Sequence, residues 1–483
     1  MPSRRQCLLA GPSVVAAAAY PHRIRANDAS IGSVCVDAML RASAYFAENV
    51  ATHGGYVYFY SLDLSERFGE GRATRDQIWV QPPGTPTVGM AFLDAYEATG
   101  ERAFLRHAVN ATRALVKGQL QSGGWTNAID FDPNGSLAAD YRRMRGGRKN
   151  NSSLDDDQTT AALELVHRTN DILTIHDHGD AAAHADIRET ARTATASLLD
   201  AQHAAGSFPQ VWDGPVVDIP PAAASYPDDD WRTEGRVKAY WDLPTLNDNV
   251  GGNVARLMIR LFRKTGSPTL RERLERLAEF FVAAQMPMPQ PGWAQQYRVT
   301  MQPAWARKFE PPAIASDETQ EAIDTLIDLA ETLQDDRWLR PIPAALGWLQ
   351  QSRLPDGSLA RYYELRTNRP LYMRREGKIY SLTYSDRDLP DHYGWKIQDR
   401  TAALAKRYGR AVRGDFRREP SVVSRQQVQR ILASLDTAGR WVSTGDGSRL
   451  IGDNRFAEGV PYLSSERFAD NLSTLAKFVQ QSS

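Results

Sequence analysis

The chain has 483 residues, and its 58 Lys+Arg balance 58 Asp+Glu, so the formal net charge is zero. That balance excludes a general nucleic-acid binder, which would be basic, and a disordered polyelectrolyte. Hydrophobic residues make up 42 % and the only cysteines are Cys7 and Cys35, so the chain relies on an apolar core and not on a disulfide framework or a Cys-based zinc site.

Residues 1–27 read as an export signal, with a disordered Arg/Ala-rich tail as the alternative. Ser3-Arg4-Arg5-Gln6-Cys7-Leu8-Leu9 has a twin-arginine character, a mildly apolar stretch runs from Leu8 to Ala19, and Ala16-Ala17-Ala18 precede Tyr20-Pro21. That order of charged, apolar and small residues predicts a periplasmic or secreted protein. No other run approaches the roughly 18 apolar residues that span a bilayer, so no membrane partner is expected.

From residue 28 to 483 one pattern recurs, and it is read as a single catalytic domain. A helical stretch ends in Gln and small residues, a Gly/Pro turn with an aromatic follows, and after a variable loop an acidic or amide cluster opens a second helix. A degenerate first copy spans about 37 to 99. The second runs from Phe104 through Gln119 to Gly123-Gly124-Trp125 and resumes at Leu154-Asp155-Asp156-Asp157. The third runs from Ile187 through Gln202 to Gly206-Ser207-Phe208 and resumes at Leu246-Asn247-Asp248-Asn249. The fourth runs from Leu270 through Gln285 to Pro291-Gly292-Trp293 and resumes at Ser316-Asp317-Glu318-Thr319. The fifth carries Trp348, Gln350 and Asp356-Gly357, and the sixth runs from Val428 to Gly439-Arg440-Trp441 and resumes near Arg467-Phe468.

The helices are predicted from period. Leu270, Leu274, Leu277 and Phe281 fall on one helix face, behind a Ser267-Pro268 start, and Val250, Val254, Leu257 and Leu261 repeat the spacing. Strand signals are few and confined to loops, such as Tyr56 to Tyr60. Stacked helical hairpins of this length predict an all-α fold, an α/α toroid or incomplete α/α barrel, with long functional loops gathered at one end.

Four loop segments carry the candidate chemistry. Asp155-Asp156-Asp157 places three carboxylates together, which suits either a helix N-terminus or a hard-cation site. Asn247-Asp248-Asn249 stands at the equivalent point one repeat later and again suits an N-cap or a site. Pro291 to Pro312 sets the adjacent cations Arg307 and Lys308 among Trp293, Trp305 and Phe309; its aromatics suit sugar platforms and its Arg a carboxylate fork, unless Arg307 simply pairs with Glu310 to pin the loop. Arg361 to Arg387 holds Arg361, Arg366, Arg369, Arg374, Arg375, Lys378 and Arg387, interleaved with Tyr362, Tyr363, Tyr372 and Tyr380; this is either a solvated charged face or a groove for an anionic polymer.

These residues resemble the pectate lyases of polysaccharide lyase family ten. The resemblance rests on Gly292 to Pro312, on Tyr362 to Tyr380 with Tyr393-Gly394-Trp395, and on Leu154 to Thr160, Leu246 to Asn249 and Gly123 to Trp125. The chain departs from the pattern at Thr126-Asn127, Arg298 and Glu376. The resemblance implies an α/α toroid that cleaves polygalacturonate, or a related uronate polymer, by Ca²⁺-assisted anti β-elimination. It implies that Arg307 is the base, that Asp155 is the carboxylate of the substrate and metal site, and that Asp248 is the principal Ca²⁺ ligand, with Asn247 and Asp156 beside it. Arg375 is then the substrate-carboxylate binder, helped by Arg366, Arg369 and Lys308, with Trp293, Trp305 and Tyr363 lining the groove. The expected partner is an acidic polysaccharide bound by a monomer. The competing readings are an α/α-barrel glycoside hydrolase, using Asp155 to Asp157 with Asp248, and a non-catalytic polysaccharide-binding protein.

Overall fold

Apolar residues at helical spacing form twelve α-helices among the described residues, which in this computed structural model are 26–175, 181–233, 239–417, 422–452 and 454–482. The expected export signal lies outside them, apart from its last two positions, which open the first helix. The helices are α1 (Ala26–Tyr45), α2 (Thr85–Thr99), α3 (Arg102–Lys117), α4 (Gln158–Ile175), α5 (Ala181–Asp200), α6 (Val250–Thr265), α7 (Pro268–Ala284), α8 (Ser316–Leu333), α9 (Ile342–Gln351), α10 (Thr401–Ala411), α11 (Arg425–Ala433) and α12 (Ser465–Ser482). No described helix is long and apolar enough to cross a membrane.

The periodic faces are buried where the spacing puts them. Leu270, Leu274, Leu277 and Phe281 of α7 are in the core, and Ser267 caps the helix by accepting the Leu270 amide at 3.4 Å. Pro268 occupies the first turn, where a missing N–H costs nothing. Val250, Val254, Leu257 and Leu261 of α6 are buried in the same way.

Even-numbered helices stand side by side in the order α10, α8, α6, α4, α2, α12, and the odd-numbered helices pack behind them. This is an α/α toroid whose ring is incomplete. Odd-to-even connections are long and even-to-odd connections short, so all the long loops lie at one end. Short strands stitch most neighbouring loops together. Residues 77–79 pair with 128–130, 152–153 with 211–212, Thr245 with Gln296, and 314–315 with 362–363. Strand 461–464 of the last loop pairs antiparallel with 59–61 of the first, with Tyr60 opposite Leu463.

The repeated Gln and Trp of the sequence pattern are what hold each loop to its helix. Gln119, Gln202 and Gln285 each donate to a carbonyl of their own turn (Gly123, Gly206 and Pro291) at 2.8 to 2.9 Å, and to one across the next hairpin (Thr190, Arg273 and Pro341). Trp125 and Trp293 are fully buried and donate Nε1–H to Leu115 and Phe281 carbonyls at 2.8 Å, and Trp441 does the same to Ile431. Glycine precedes two of these tryptophans because no side chain fits there. A Cβ on Gly124 would lie 2.7 Å from Ser152 Oγ, and one on Gly292 2.7 Å from Ile314 Cγ2.

Candidate active site

Two turns from adjacent repeats meet at the loop end of the ring. Residues Asp155–Asp157 and Asn247–Asn249 each form a single 3-10 turn ahead of α4 and α6, and the two turns contact one another. Both share an unusual backbone. Asp156 and Asp157 have φ of 45° and 63°, and Asp248 and Asn249 have φ of 51° and 56°. Two successive left-handed residues are costly for most side chains, and Asp and Asn tolerate that region best. The acidic and amide residues are therefore there partly because the backbone requires them. The N-cap role weighed for Asn249 is not what the structure shows: it precedes α6 in the left-handed region and makes no side-chain cap bond. Such strained turns cluster at functional sites.

The kink puts Asp156 and Asp248 in corresponding positions and brings the Asp155 carboxylate close enough to Asp248 to act on its proton affinity. Gln210 Nε2 donates to Asp155 Oδ1 at 2.6 Å, and Gln81 Nε2 donates to Asp156 Oδ2 at 3.0 Å. Burial, Asp155 and Asp156 push the Asp248 carboxyl well above its usual range, while the positive charge of Arg307 opposes them. Asp156 is raised to about 6 by desolvation, Asp155, Glu70 and Asp157, again opposed by Arg307. Asp155, Asp156, Asp248 and Arg307 thus share one electrostatic site.

Arg307 lies on the loop after α7. Its side chain is 36 % exposed and is held by Glu310, which is 2 % exposed. Nη2 and Nε of Arg307 donate to Glu310 Oε1 at 2.6 and 2.8 Å, and the Arg307 amide donates to Oε2 at 2.8 Å. The guanidinium also lies 5.3 Å from the Phe309 ring centre. Burial acts to lower the pKa of Arg307, but Glu310, Tyr393 and Asp248 outweigh it and leave the pKa raised. Lys308 is exposed, and Arg375 is exposed on the hairpin of 370–376 and 379–383. That hairpin does reach the site. Tyr380, opposite Arg375 in the ladder, packs on Phe309 with ring centres 5.5 Å apart.

Three expected groove residues are core residues instead. Trp293 is fully buried, Trp305 is 5 % exposed with Nε1 bonded to the Trp231 carbonyl at 2.9 Å, and Tyr363 is 1 % exposed with its hydroxyl on the Ser352 carbonyl. A ring with both faces covered cannot stack on a sugar, so these are corrections to the platform reading. Arg366 and Arg369 are engaged elsewhere: Arg366 lies over Tyr226 at 4.8 Å, and Arg369 over Tyr384 at 3.6 Å. The departures have local partners too. Arg298 makes a two-point pair with Asp229 at 2.7 and 2.9 Å, and Asn127 Nδ2 donates to Glu70 at 3.5 Å.

Glu70 and Gln81 are site residues that sequence reasoning did not single out. Both come from the first repeat, and Gln81 Nε2 also reaches Glu70 Oε1 at 3.4 Å. The signal was Gln81-Pro82-Pro83-Gly84, the degenerate counterpart of the later Gly-Trp turns.

Asp157 sits just behind these groups. Burial and Glu164 raise its carboxyl from 3.8 to about 6, against Thr160 and Arg256. Because the folded state resists ionising it, this residue costs the fold stability as pH rises from about 4 to about 6. Asp157→Asn should therefore leave thermal stability unchanged at pH 4 and raise it at pH 7. An equal melting-temperature difference at both pH values would show that Asp157 carries no such penalty.

The amide Oδ1 of Asn247 is buried and has no hydrogen-bond partner, while its Nδ2 donates to Asp248. Carboxylate and amide oxygens are the donors a hard cation takes. Among the described residues, no three acidic, His or Cys side chains are already gathered at metal-binding geometry.

Comparison with known proteins bears on the same segment. Residues 119–358 match the family model of pectic acid lyase. Similar solved structures include family 10 polysaccharide lyase from Cellvibrio cellulosa, in mutant form with trigalacturonic acid, at 15 % identity over 68 % of this chain and 98 % of that one, TM-score 0.46. A D-mannose isomerase aligns at 13 % identity over 96 % of this chain and 100 % of that one, TM-score 0.45. Cellobiose 2-epimerase from Bacillus thermoamylovorans aligns at 10 % identity over 94 % and 100 %, TM-score 0.46. No curated protein matches the chain in sequence. The segment that matches the pectic acid lyase model, residues 119–358, contains both kinked turns and the Arg307 loop.

Proposed function

We propose that the protein is a polysaccharide lyase that cleaves polygalacturonate, or a related uronate polymer, by anti β-elimination. One observation carries this reading: Arg307 shares an electrostatic site with Asp156 and Asp248 inside the family-matched segment. Arg307 takes the C5 proton of a uronate unit, the C5–H electron pair becomes the C4–C5 double bond, and the C4–O bond breaks. Removing that proton builds enolate charge on the C6 carboxylate, and stabilising this charge is the main electrostatic task of the site.

Asp248, Asn247 and Asp156 would hold a Ca²⁺ ion, with Asp155 next to them, and the substrate carboxylate would complete the set that the protein alone leaves unfinished. Bound there, Ca²⁺ would neutralise the C6 carboxylate and so make the C5 proton more acidic. Arg375, exposed on the hairpin, would meet a second uronate carboxylate along the chain.

A hydrolase would instead need two carboxyls about 5 to 9.5 Å apart flanking the glycosidic bond, and it would leave saturated ends.

The test is incubation with polygalacturonate, with and without a chelator. The lyase reading expects a rise in ultraviolet absorbance from unsaturated ends that the chelator suppresses; saturated reducing ends without absorbance would establish hydrolysis instead. Asp248→Ala should raise the Ca²⁺ concentration for half-maximal rate by about tenfold or more. An unchanged Ca²⁺ titration would remove Asp248 from the metal set.

A further inference from the structure

Glu310 is the buried charged group at this site that the reaction, as described, leaves idle. Besides its three bonds from Arg307, it accepts the Tyr393 hydroxyl on Oε1 at 3.0 Å. Tyr393 is partly exposed, and its hydroxyl meets that of Tyr362 at 2.9 Å. Behind this pair, the Arg361 guanidinium lies 4.7 Å from the Tyr393 ring centre and 3.7 Å from Glu318. Glu310 is thus surrounded by Arg307, Arg361, Glu318, Tyr362 and Tyr393. On its other side Arg307 faces Asp156 and Asp248, and its charge reaches His392.

A guanidinium carries no lone pair for a proton until it has given one up. The carboxylates around Arg307 favour its charged form, so a base role needs an acceptor in direct contact. Glu310 Oε1 is in contact with both Nε and Nη2. Water leaves the pair when a polymer chain covers it. The loss of hydration disfavours separated charges and brings the neutral guanidine–carboxylic acid pair closer in energy.

Resting on the elimination reading, we propose that Glu310 is the positioning residue that makes Arg307 a base, by fixing its guanidinium and taking its proton as substrate docks. The cycle balances. A proton passes from Arg307 to Glu310, and neutral Arg307 takes the C5 proton. The C5–H pair becomes the double bond, and the C4–O pair stays on the leaving oxygen. That oxygen receives the Glu310 proton through the Tyr393 hydroxyl. Arg307 and Glu310 end as the ion pair they were at the start.

The test is the pH dependence of kcat for wild type and Glu310→Gln on polygalacturonate. The amide keeps the size and one acceptor but is no proton store. Near pH 8 the variant should lose about 10³-fold in kcat, with KM within about threefold. It should then recover about tenfold per pH unit, because Arg307 must now lose its proton to bulk base. Tyr393→Phe, which keeps the ring packing, should lose about tenfold in kcat at unchanged KM. A Glu310→Gln rate within tenfold of wild type, or a loss of the same size at every pH, overturns the proposal. If Glu310→Gln does not fold, an unaltered kcat for Tyr393→Phe overturns it. Wild-type protein that makes no unsaturated product would instead bring down the elimination reading itself.

Discussion

Arg307→Ala should lower kcat on polygalacturonate by about 10³-fold or more, equivalent to about 4 kcal/mol of transition-state stabilisation, while the helical ring stays folded. The loss has two parts. The group that takes the C5 proton is gone, and so is the cation that offsets the carboxylates of Asp156 and Asp248. Glu310 is also left buried without its cation. Arg307→Lys is the sharper control. A single ammonium keeps the charge but cannot make the Nε and Nη2 contacts to Glu310 at once, so it should recover little of the rate. Circular dichroism and oligogalacturonate binding separate chemistry from folding. A near-normal rate for Arg307→Ala, with intact secondary structure, would exclude it as the base.

The second large effect is on stability. Trp293→Ala should cost about 3 to 5 kcal/mol, because the ring is fully buried and its removal leaves a cavity beneath the fourth loop. Part of that cost is the bond from Nε1 to the Phe281 carbonyl, which leaves a buried acceptor unpaired. Trp293→Phe isolates that bond and should cost about 1 to 3 kcal/mol. Both are read by denaturant unfolding. A sugar platform would behave in the opposite way, with full stability and weakened substrate binding, so the same two variants decide which role the tryptophan has. The Arg307 loop starts from this turn, and activity in Trp293→Ala should fall together with stability.

The helices were legible because their cause is local. Leu270, Leu274, Leu277 and Phe281 face the core at a spacing that any window of the sequence displays. The repeat was legible for the same reason: Gln119, Gln202 and Gln285 recur at the same point of successive hairpins, whatever they do there. Their purpose was not, since it depends on carbonyls in the neighbouring hairpin. The same holds for the aromatics. A tryptophan beside a cation suits a binding groove in sequence, and only packing shows that both faces of Trp293 are covered.

What the sequence determined alone was the order of helical pairs, the clustering of the long loops at one end and the families of residues those loops carry, because period and spacing are properties of the chain itself. Tertiary structure decided the rest. It placed Asp156 and Asp248 in corresponding positions through paired left-handed residues, brought Glu70 and Gln81 in from the first repeat, and set Glu310 under Arg307 as a buried counter-charge. Field, burial and proton affinity are sums over neighbours distant in sequence, and those sums exist only once the chain has closed on itself.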